Sequence, residues 1–473
     1  MRARRLAISL VTVALFGASL LHSHDAEASG YLTARFGGDE GAPMNPNGYA
    51  VYFNPAALGG TKSTTITGDL SMALRWVHYE RTPDALSPSN NRRAALLNDP
   101  KYVSANTGDA NLLNLVAVPL VGVNTDFGTK NLRAGYAFYV PFGGMATWDR
   151  DRGVKDAIGS SDGVQRWHNI SGQILTFYNT FALAYRLGES GFSIGASLSP
   201  VIHHVATVRA RTPDDTDEIE FANGTLKEGR SYLDGNGFNL QATGGIYWQD
   251  EAGKVRLGAA YLSQPGFGTT RMSGSLDGIT TGGATVHQDI DFLLAYPDIV
   301  RIGSAFRPTE RLEVRADGEF VRWSVLENQC VVLRGKDCTL NPNGSDPTSN
   351  NVVINIPRNW KNAIGYRAGA AYDVTDRIQL GGSLAFTTSA VPTSTIDAST
   401  VDSFRLYFNA GARFRVGDHV AVGANYTHIY FLPVDTKGAN RFNEYAKPSQ
   451  SPSSDGKYSS QIGYLNLNVA YTF

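Results

Sequence analysis

Beyond its first two dozen positions the chain has no apolar run approaching the roughly 20 residues that a membrane-spanning helix needs, so a bundle of apolar helices is excluded. Only two cysteines occur in 473 residues, too few for a disulfide framework or a cysteine-built zinc site. The nine histidines are scattered, and the adjacent His203 and His204 would point to opposite faces of a strand. A hydrolytic site needs a His beside a Ser or Asp, and no such grouping stands out. The chain is therefore not expected to be an enzyme, and neither a metal nor a cofactor is expected. Charge of one sign is also missing: 42 Lys and Arg face 43 Asp and Glu, for a net charge of -1. Without a basic run, nucleic acid drops out as a partner.

What is present begins with Arg2, Arg4 and Arg5, an apolar block from Leu6 to Leu21 and the small-residue site Ala26-Glu27-Ala28. This is the pattern of a secretory signal peptide, residues 1–28, cut before Ser29. The remainder is rich in Gly (50), Tyr (22) and Phe (22). From Ser63 to Phe473 apolar and polar residues alternate in segments parted by turn residues, about fourteen of them. Tight connections such as Leu187-Gly188-Glu189 and Val416-Gly417-Asp418 alternate with long ones at 81–110, 143–165, 212–228, 276–295, 327–359, 390–402 and 432–457. Short turns on one side and long loops on the other imply a transmembrane antiparallel β-barrel in the bacterial outer membrane, with the short turns and both termini periplasmic.

The alternation assigns the faces. Phe404, Leu406, Phe408 and Phe414 share one row, while Arg405, Tyr407, Asn409 and Arg413 share the other. Leu312, Val314 and Phe320 likewise oppose Glu313, Arg315, Asp317 and Glu319. An Arg facing lipid at mid-depth costs about 2–4 kcal/mol, so the charged rows line a lumen. A soluble sandwich would bury the apolar rows instead. Leu465, Leu467, Val469, Tyr471 and Phe473 end the chain as one outward row. That resembles the signal read by barrel-assembly machinery, a partner during biogenesis, while lipopolysaccharide and phospholipid would surround the finished wall.

Residues 29–62 show neither period. The stretch is glycine-rich, low in charge and carries Tyr31, Phe36, Tyr49, Tyr52 and Phe53, which argues against disorder. It is expected to plug the lumen of the barrel formed by 63–473. Four stretches then resemble the long-chain fatty acid transporter family of outer-membrane proteins, the FadL/TodX group. They are Ser29-Gly30-Tyr31 with Asn54-Pro55-Ala56; Ala137 to Gly144; Asn179 to Leu187 with Phe192 to Ala196; and Tyr296-Pro297-Asp298 with the run to Val391-Pro392. The resemblance spans nearly the whole mature chain. It implies passive uptake of hydrophobic molecules, long-chain fatty acids or other lipophilic and aromatic compounds, with Asn54, Pro55 and Ala56 in the family's hatch motif. A polar-solute porin is the alternative, though it leaves the hatch stretch unexplained.

Candidate site residues follow from chemistry. Pro141 cannot donate to a ladder, and Gly143 and Gly144 beyond Phe142 favour a bend. Pro141 to Gly144 are thus expected to part the wall and let an oily solute leave sideways. Arg301, Arg315 and Arg367 are candidates to meet a substrate carboxylate, and equally to pair with lumen acids and brace the plug. Cys330 and Cys338, near each other in an exported chain, are expected to form a disulfide. The acidic run in 212–228 (Asp214, Asp215, Asp217, Glu218, Glu220) departs from the apolar capture loops of the family's fatty-acid members. It reads as solvated charge, with a Ca²⁺ site as the alternative.

Overall fold

The structure, a computed structural model, describes residues 32–33, 35–149, 162–279, 285–348 and 351–473. The expected signal peptide, 1–28, lies outside the described residues, as do 29–31 and Ala34 of the plug stretch. Strand β1 is the pair Leu32–Thr33. The wall begins with β2 (Thr65–Arg81), β3 (Gly108–Thr125), β4 (Leu132–Tyr139), β5 (Phe142–Thr147), β6 (Ser171–Arg186), β7 (Phe192–Arg211) and β8 (Gly229–Gln249). It continues through β9 (Val255–Leu262), β10 (Thr269–Ile279), β11 (Thr285–Ala295), β12 (Ile299–Phe306), β13 (Leu312–Val321), β14 (Asn328–Leu333), β15 (Val352–Pro357) and β16 (Ala363–Asp373). Strands β17 (Ile378–Thr387), β18 (Arg405–Val416), β19 (Val420–Asp435) and β20 (Gly456–Thr472) complete it.

Neighbouring strands are antiparallel, and β20 pairs with β2 from Thr65↔Thr472 to Arg81↔Gly456, so the sheet closes on itself. Five staves come in two pieces each (β4/β5, β9/β10, β11/β12, β13/β14 and β15/β16), which makes a barrel of fourteen staves. Tight turns close one end through left-handed residues such as Gly188 (φ 59°) and Gly417 (φ 66°), as hairpins require. The outward rows are exposed: Phe181, Leu183 and Tyr185 on β6, Phe408 and Phe414 on β18, and Leu465, Leu467, Val469 and Tyr471 on β20. Arg301 and Glu313 on the opposite rows are 2 % exposed, so the polar lumen is filled rather than wet.

Three stretches expected as long loops carry strand instead. Residues 143–165 begin with most of β5, 276–295 hold β11, and 327–359 hold β14 and β15. The reason is burial on both faces. Leu293, Cys330, Val332 and Val352 pack with Cys338 and Leu340, which fold back over the wall, so no polar row remains to mark a strand. The breaks in four adjacent staves, after Leu262, Ala295, Val321 and Pro357, stand side by side. Asp298 ties the first three, accepting from Tyr261 Oη (2.9 Å) and Arg322 Nε (2.5 Å).

Candidate functional site

The segment from Arg35 to Thr61 lies against the inner faces of the wall. Asn54, fully buried, organises it: Oδ1 accepts from Ala56 N (3.1 Å), capping the 3₁₀ turn Pro55–Gly60, while Nδ2 donates to Pro43 O (2.8 Å) and Ile246 O of β8 (3.0 Å). Asn is required because one side chain must accept and donate at once. The wall yields to this contact through missing side chains. A Cβ on Gly195 would sit 2.4 Å from Ala56 N, and one on Gly245 2.1 Å from Asn54 Oδ1.

Arg301, Arg315 and Arg367 all hold this inner segment. Arg301 donates to Tyr52 O (3.2 Å) and Tyr52 Oη (2.8 Å) and lies over the rings of Tyr52 and Phe53. Arg315 donates to Glu313 (2.6 Å), Asp39 O (3.0 Å) and Glu40 (3.4 Å). Arg367 donates to Asp317 (2.8 Å), Gly38 O (3.1 Å) and Gly41 O (2.6 Å). Glu313 is a hub for Arg256 (2.5 Å), Arg307 (2.6 Å) and Arg315, and Glu40 also receives Arg413 (3.1 Å).

The wall parts beside Pro141. β4 pairs with β3 only from Thr125↔Ala134 to Leu120↔Tyr139. After Val140 and Pro141, β5 stays bonded to β6, but between Tyr139↔Tyr178 and Gly143↔Leu175 four steps on one strand match three on the other. That extra residue is a bulge, and it swings β5 away from β3. The vacated edge of β5 pairs instead with β1, Leu32↔Gly143 and Thr33↔Phe142. The window ends above at Asp149 N to Asn111 O (3.0 Å), and Asn114 Nδ2 reaches across it to Met145 O (3.5 Å). Phe142 is fixed by Thr176 Oγ1, which donates to its carbonyl (2.7 Å), and its ring meets Tyr296 (5.6 Å between centroids) and Trp323 (6.4 Å) inside the barrel.

Behind β5, on the long-loop side, lies a cavity with about 800 Å³ of empty space, part of it open solvent. Its lining is in part apolar, with Ile174, Leu233, Leu276, Phe292, Val331 and Ile354, and in part polar, with His168, Asn169, Arg209, Arg358, Ser399 and Thr400. Arg358 is fully engaged, with Nε to Gln329 (2.6 Å), Nη1 to Asp397 (2.9 Å) and Thr400 (2.9 Å), and Nη2 to Ser399 (3.1 Å). Burial pushes the His168 imidazole down to about 4, so it is neutral at pH 7 although Asp397 is 4.0 Å away. The sequence reading did not single out this polar side. Arg209 was nevertheless legible, since it continues the inward row Val201, His203, Val205 and Thr207 on β7.

The acidic run is not free solvated charge: every carboxylate in it is paired, and Asp215, Asp217 and Glu218 are buried. Asp214 meets Lys227 (2.5 Å), Asp215 meets Arg211 (2.6 Å), and Glu218 meets Arg92 (2.9 Å) and Lys227 (2.7 Å), while Glu220 meets Lys101 (2.7 Å). Asp217, sealed from water, binds Arg81 Nη2 (2.9 Å), which also donates to Ala85 O (2.8 Å) and Ser453 O (3.1 Å) while Arg81 Nη1 donates to Asn106 O (2.7 Å). Among the described residues no cluster is arranged to hold a metal ion. Cys330 and Cys338 are joined as a disulfide. The chain contains the spacing Gly191-Phe192-Ser193-Ile194-Gly195, but Ser193 lies in strand β7 with Oγ packed on Gly59, not at a strand-to-helix elbow. A second such spacing, Gly159 to Gly163, falls largely outside the described residues.

A closed antiparallel barrel with an apolar outer band and a polar inner face, against which the segment 35–61 packs, is the architecture of an outer-membrane barrel. The family model for the outer membrane protein transport proteins (OMPP1/FadL/TodX) matches residues 11–473, and the chain belongs to that family. It is 21% identical over 476 residues to a putative outer membrane protein of Neisseria meningitidis serogroup B, across 92% of this chain and 96% of that protein. Among solved structures, a FadL homologue of Pseudomonas aeruginosa superposes with a TM-score of 0.72 at 17% identity, over 95% of this chain and 99% of that one. The toluene transporter TodX of Pseudomonas putida follows at 0.62 and 14%, over 95% and 99%. The protein is thus a multi-pass β-barrel of the outer membrane.

Proposed function

We propose that this barrel takes hydrophobic molecules up passively from the outer surface and releases them sideways into the membrane through the window beside Pro141, Phe142, Gly143 and Gly144. The observation that carries the reading is that β5 leaves β3 and gives its vacated edge to β1. A solute settling in the cavity would pass the rings of Phe142, Tyr296 and Trp323 and reach hydrocarbon through the wall. The axial path is closed to it, because Arg301, Arg315, Arg367 and Glu313 make the lumen costly for an oily body. Asn54, Pro55 and Ala56 would act as the hatch that keeps ions from following. Related barrels described as toluene transporters and monoaromatic hydrocarbon channels support an apolar cargo. The outer rows would rest in phospholipid and lipopolysaccharide, and the row ending at Phe473 would serve the assembly machinery.

The test is to close the window. Pro141→Val with Gly143→Thr and Gly144→Thr restores donors and β-formers to the bulge. The variant should keep heat-modifiable gel mobility and lose uptake of radiolabelled alkyl and aromatic solutes. Full uptake by the folded variant rejects the lateral route.

A further inference from the structure

We infer that the inner segment leaves a second path open beside it, a polar slit along β17 that passes water and small inorganic anions between the lumen and the periplasmic side. This path is independent of the window beside Pro141 and carries a different class of solute.

Three cavities lie end to end between the stretch Gly37 to Gly41 and the wall, with about 650, 230 and 320 Å³ of empty space. The first shares Asp317 and Arg367 with the second, and the second shares Asp39 and Arg315 with the third. The inward row of β17 joins them into one slit. Thr387 and Ala385 line the first cavity, Ser383 the second, and Gly381 and Gln379 the third. On β16 the same order recurs with Gly365, Arg367, Gly369 and Ala371. Gln379 stands beside the tight turn that opens β17, and Thr387 is its last residue before the long loop. The distance between them is about 27 Å at the rise of an antiparallel strand, enough to cross an apolar band of about 25 Å.

The segment touches one side of the wall and clears the other. A Cβ on Gly195 or Gly245 would lie 2.4 and 2.1 Å from it, whereas one on Gly381 would meet nothing nearer than Ala370 O at 3.6 Å and Asp39 Oδ2 at 3.7 Å. The waist is the second cavity, where Ser383 Oγ donates to Asp39 Oδ1 (2.5 Å). Its polar walls give water the partners it needs, and its size sets the limit near that of a halide.

Charge sets the sign of the traffic. Arg35, Arg301, Arg315, Arg367, Arg405 and Arg413 line the slit against Asp39, Glu40, Asp317 and Glu319. Glu313 and Asp402 answer Arg315 and Arg405 from behind, but Glu313 also carries Arg256 and Arg307, so the cations keep the majority. Arg35 is the clearest excess. Its side chain makes no ion pair or hydrogen bond among the described residues, its Nε is buried without an acceptor, and its guanidinium rests over the Tyr407 ring, 4.9 Å from the centroid. A narrow aqueous path of that sign between low-dielectric walls favours anions. The segment thus stops bulk flow without making a dry seal.

The experiment is planar-bilayer recording with the full chain in KCl at pH 7.5. The wild type should carry a small steady current that favours chloride over potassium about threefold to tenfold, and should lose most of it when gluconate replaces chloride. Gly381→Cys puts one free thiol in the slit, since the two native cysteines are joined to each other. Benzyl methanethiosulfonate should remove most of the current of this variant and dithiothreitol should restore it, with the wild type indifferent to both reagents. Arg35→Gln should keep the current and lower the chloride preference. The window-closed variant should conduct as the wild type does. No current from the wild type, a preference for potassium, or a current that persists once mass spectrometry shows the introduced thiol fully modified overturns the slit. Current lost in the window-closed variant assigns conduction to the window and overturns it as well. Heat-modifiable mobility identifies any variant whose barrel has not closed, and Gln379→Cys at the periplasmic mouth replaces Gly381→Cys if that variant fails to fold.

Discussion

Leu32 pairs through its backbone with Gly143, on the edge of β5 that β3 has given up. The N-terminal strand therefore stands where a solute leaving sideways would pass. Partners in an antiparallel ladder hold their Cα atoms about 4.5–5.5 Å apart, within the span of a disulfide. Leu32→Cys combined with Gly143→Cys should cross-link on oxidation and abolish most uptake, and a reductant should restore it. Uptake unaffected by the cross-link would mean that β1 lies off the route.

Removing the inner segment should leave an open pore of predictable selectivity. With Tyr31 to Gly60 deleted, the five cations Arg256, Arg301, Arg315, Arg367 and Arg413 would face water against the four acids Asp69, Glu313, Asp317 and Glu319, apart from partners higher in the wall. Planar-bilayer recordings should show steady, anion-selective current. A deletion mutant that conducts no better than the intact protein would refute the plug.

Asn54 is the single side chain on which the segment turns. Asn54→Ala strips the donors from Pro43 O and Ile246 O and uncaps Ala56 N. Each buried group left unpaired costs about 1–3 kcal/mol. The variant should unfold at lower urea concentration and expose residues 35–61 to protease while the wall stays resistant.

Cys330 and Cys338 close a short loop over the outer face, with a separation of 8 in sequence. The unfolded, unreduced protein should show no reactive thiol. Replacing both by Ser should cost at most about 3 kcal/mol on the chain-entropy account. The loss should be local, seen as faster amide exchange in β14 and β15 and no change in the seam between β2 and β20.

Acid should loosen the loops that cap the cavity. His168 takes a proton near its ordinary value of about 6.5 when unfolded but only near about 4 when folded. Its contribution is therefore complete above about pH 6.5 and is lost as the pH falls toward 4, amounting to about 3 kcal/mol at most. Burial works to raise the Asp397 carboxyl, yet the Arg358 guanidinium and the hydroxyl donors of Ser399 and Thr400 outweigh it and hold it below the usual carboxylate range, so its share is lost at lower pH still. Unfolding midpoints measured from pH 7.5 to 4 should drop, and His168→Gln should flatten the upper part of that slope.

The barrel was legible because each stave has one face in lipid and one in a polar lumen. Phe408 beside Asn409, or Val314 beside Arg315, carries its orientation in the two-residue period. The bulge beside Pro141 was legible as local chemistry, since a residue without an N–H donor followed by two glycines disturbs a ladder, whereas the bonds of Asn54 to Pro43 and Ile246 had to be seen in three dimensions. β11, β14 and β15 were hidden because Phe292, Leu293 and Leu294, like Cys330, Val331 and Val332, are buried whichever way they point. The polar side of the cavity escaped for another reason. Several inward arginines look alike in sequence, and whether one of them, as Arg301 does, holds the inner segment or, as Arg209 and Arg358 do, lines the cavity is decided only by three-dimensional proximity.

Arg81 closes the first wall strand, and the carbonyl of Ser453 that it holds comes just before the last one. Its other partners, at Ala85, Asn106 and Asp217, belong to stretches made in between. One guanidinium thus gathers two early loop stretches and a mid-chain carboxylate, and it takes its last acceptor, Ser453 O, from the segment that leads into the closing strand. A barrel stalled before that strand would keep the Arg81–Asp217 pair and lack the acceptor that carries it across the seam. The pair on the outer loops therefore doubles as a clasp, fastened to the far edge only when the cylinder is finished.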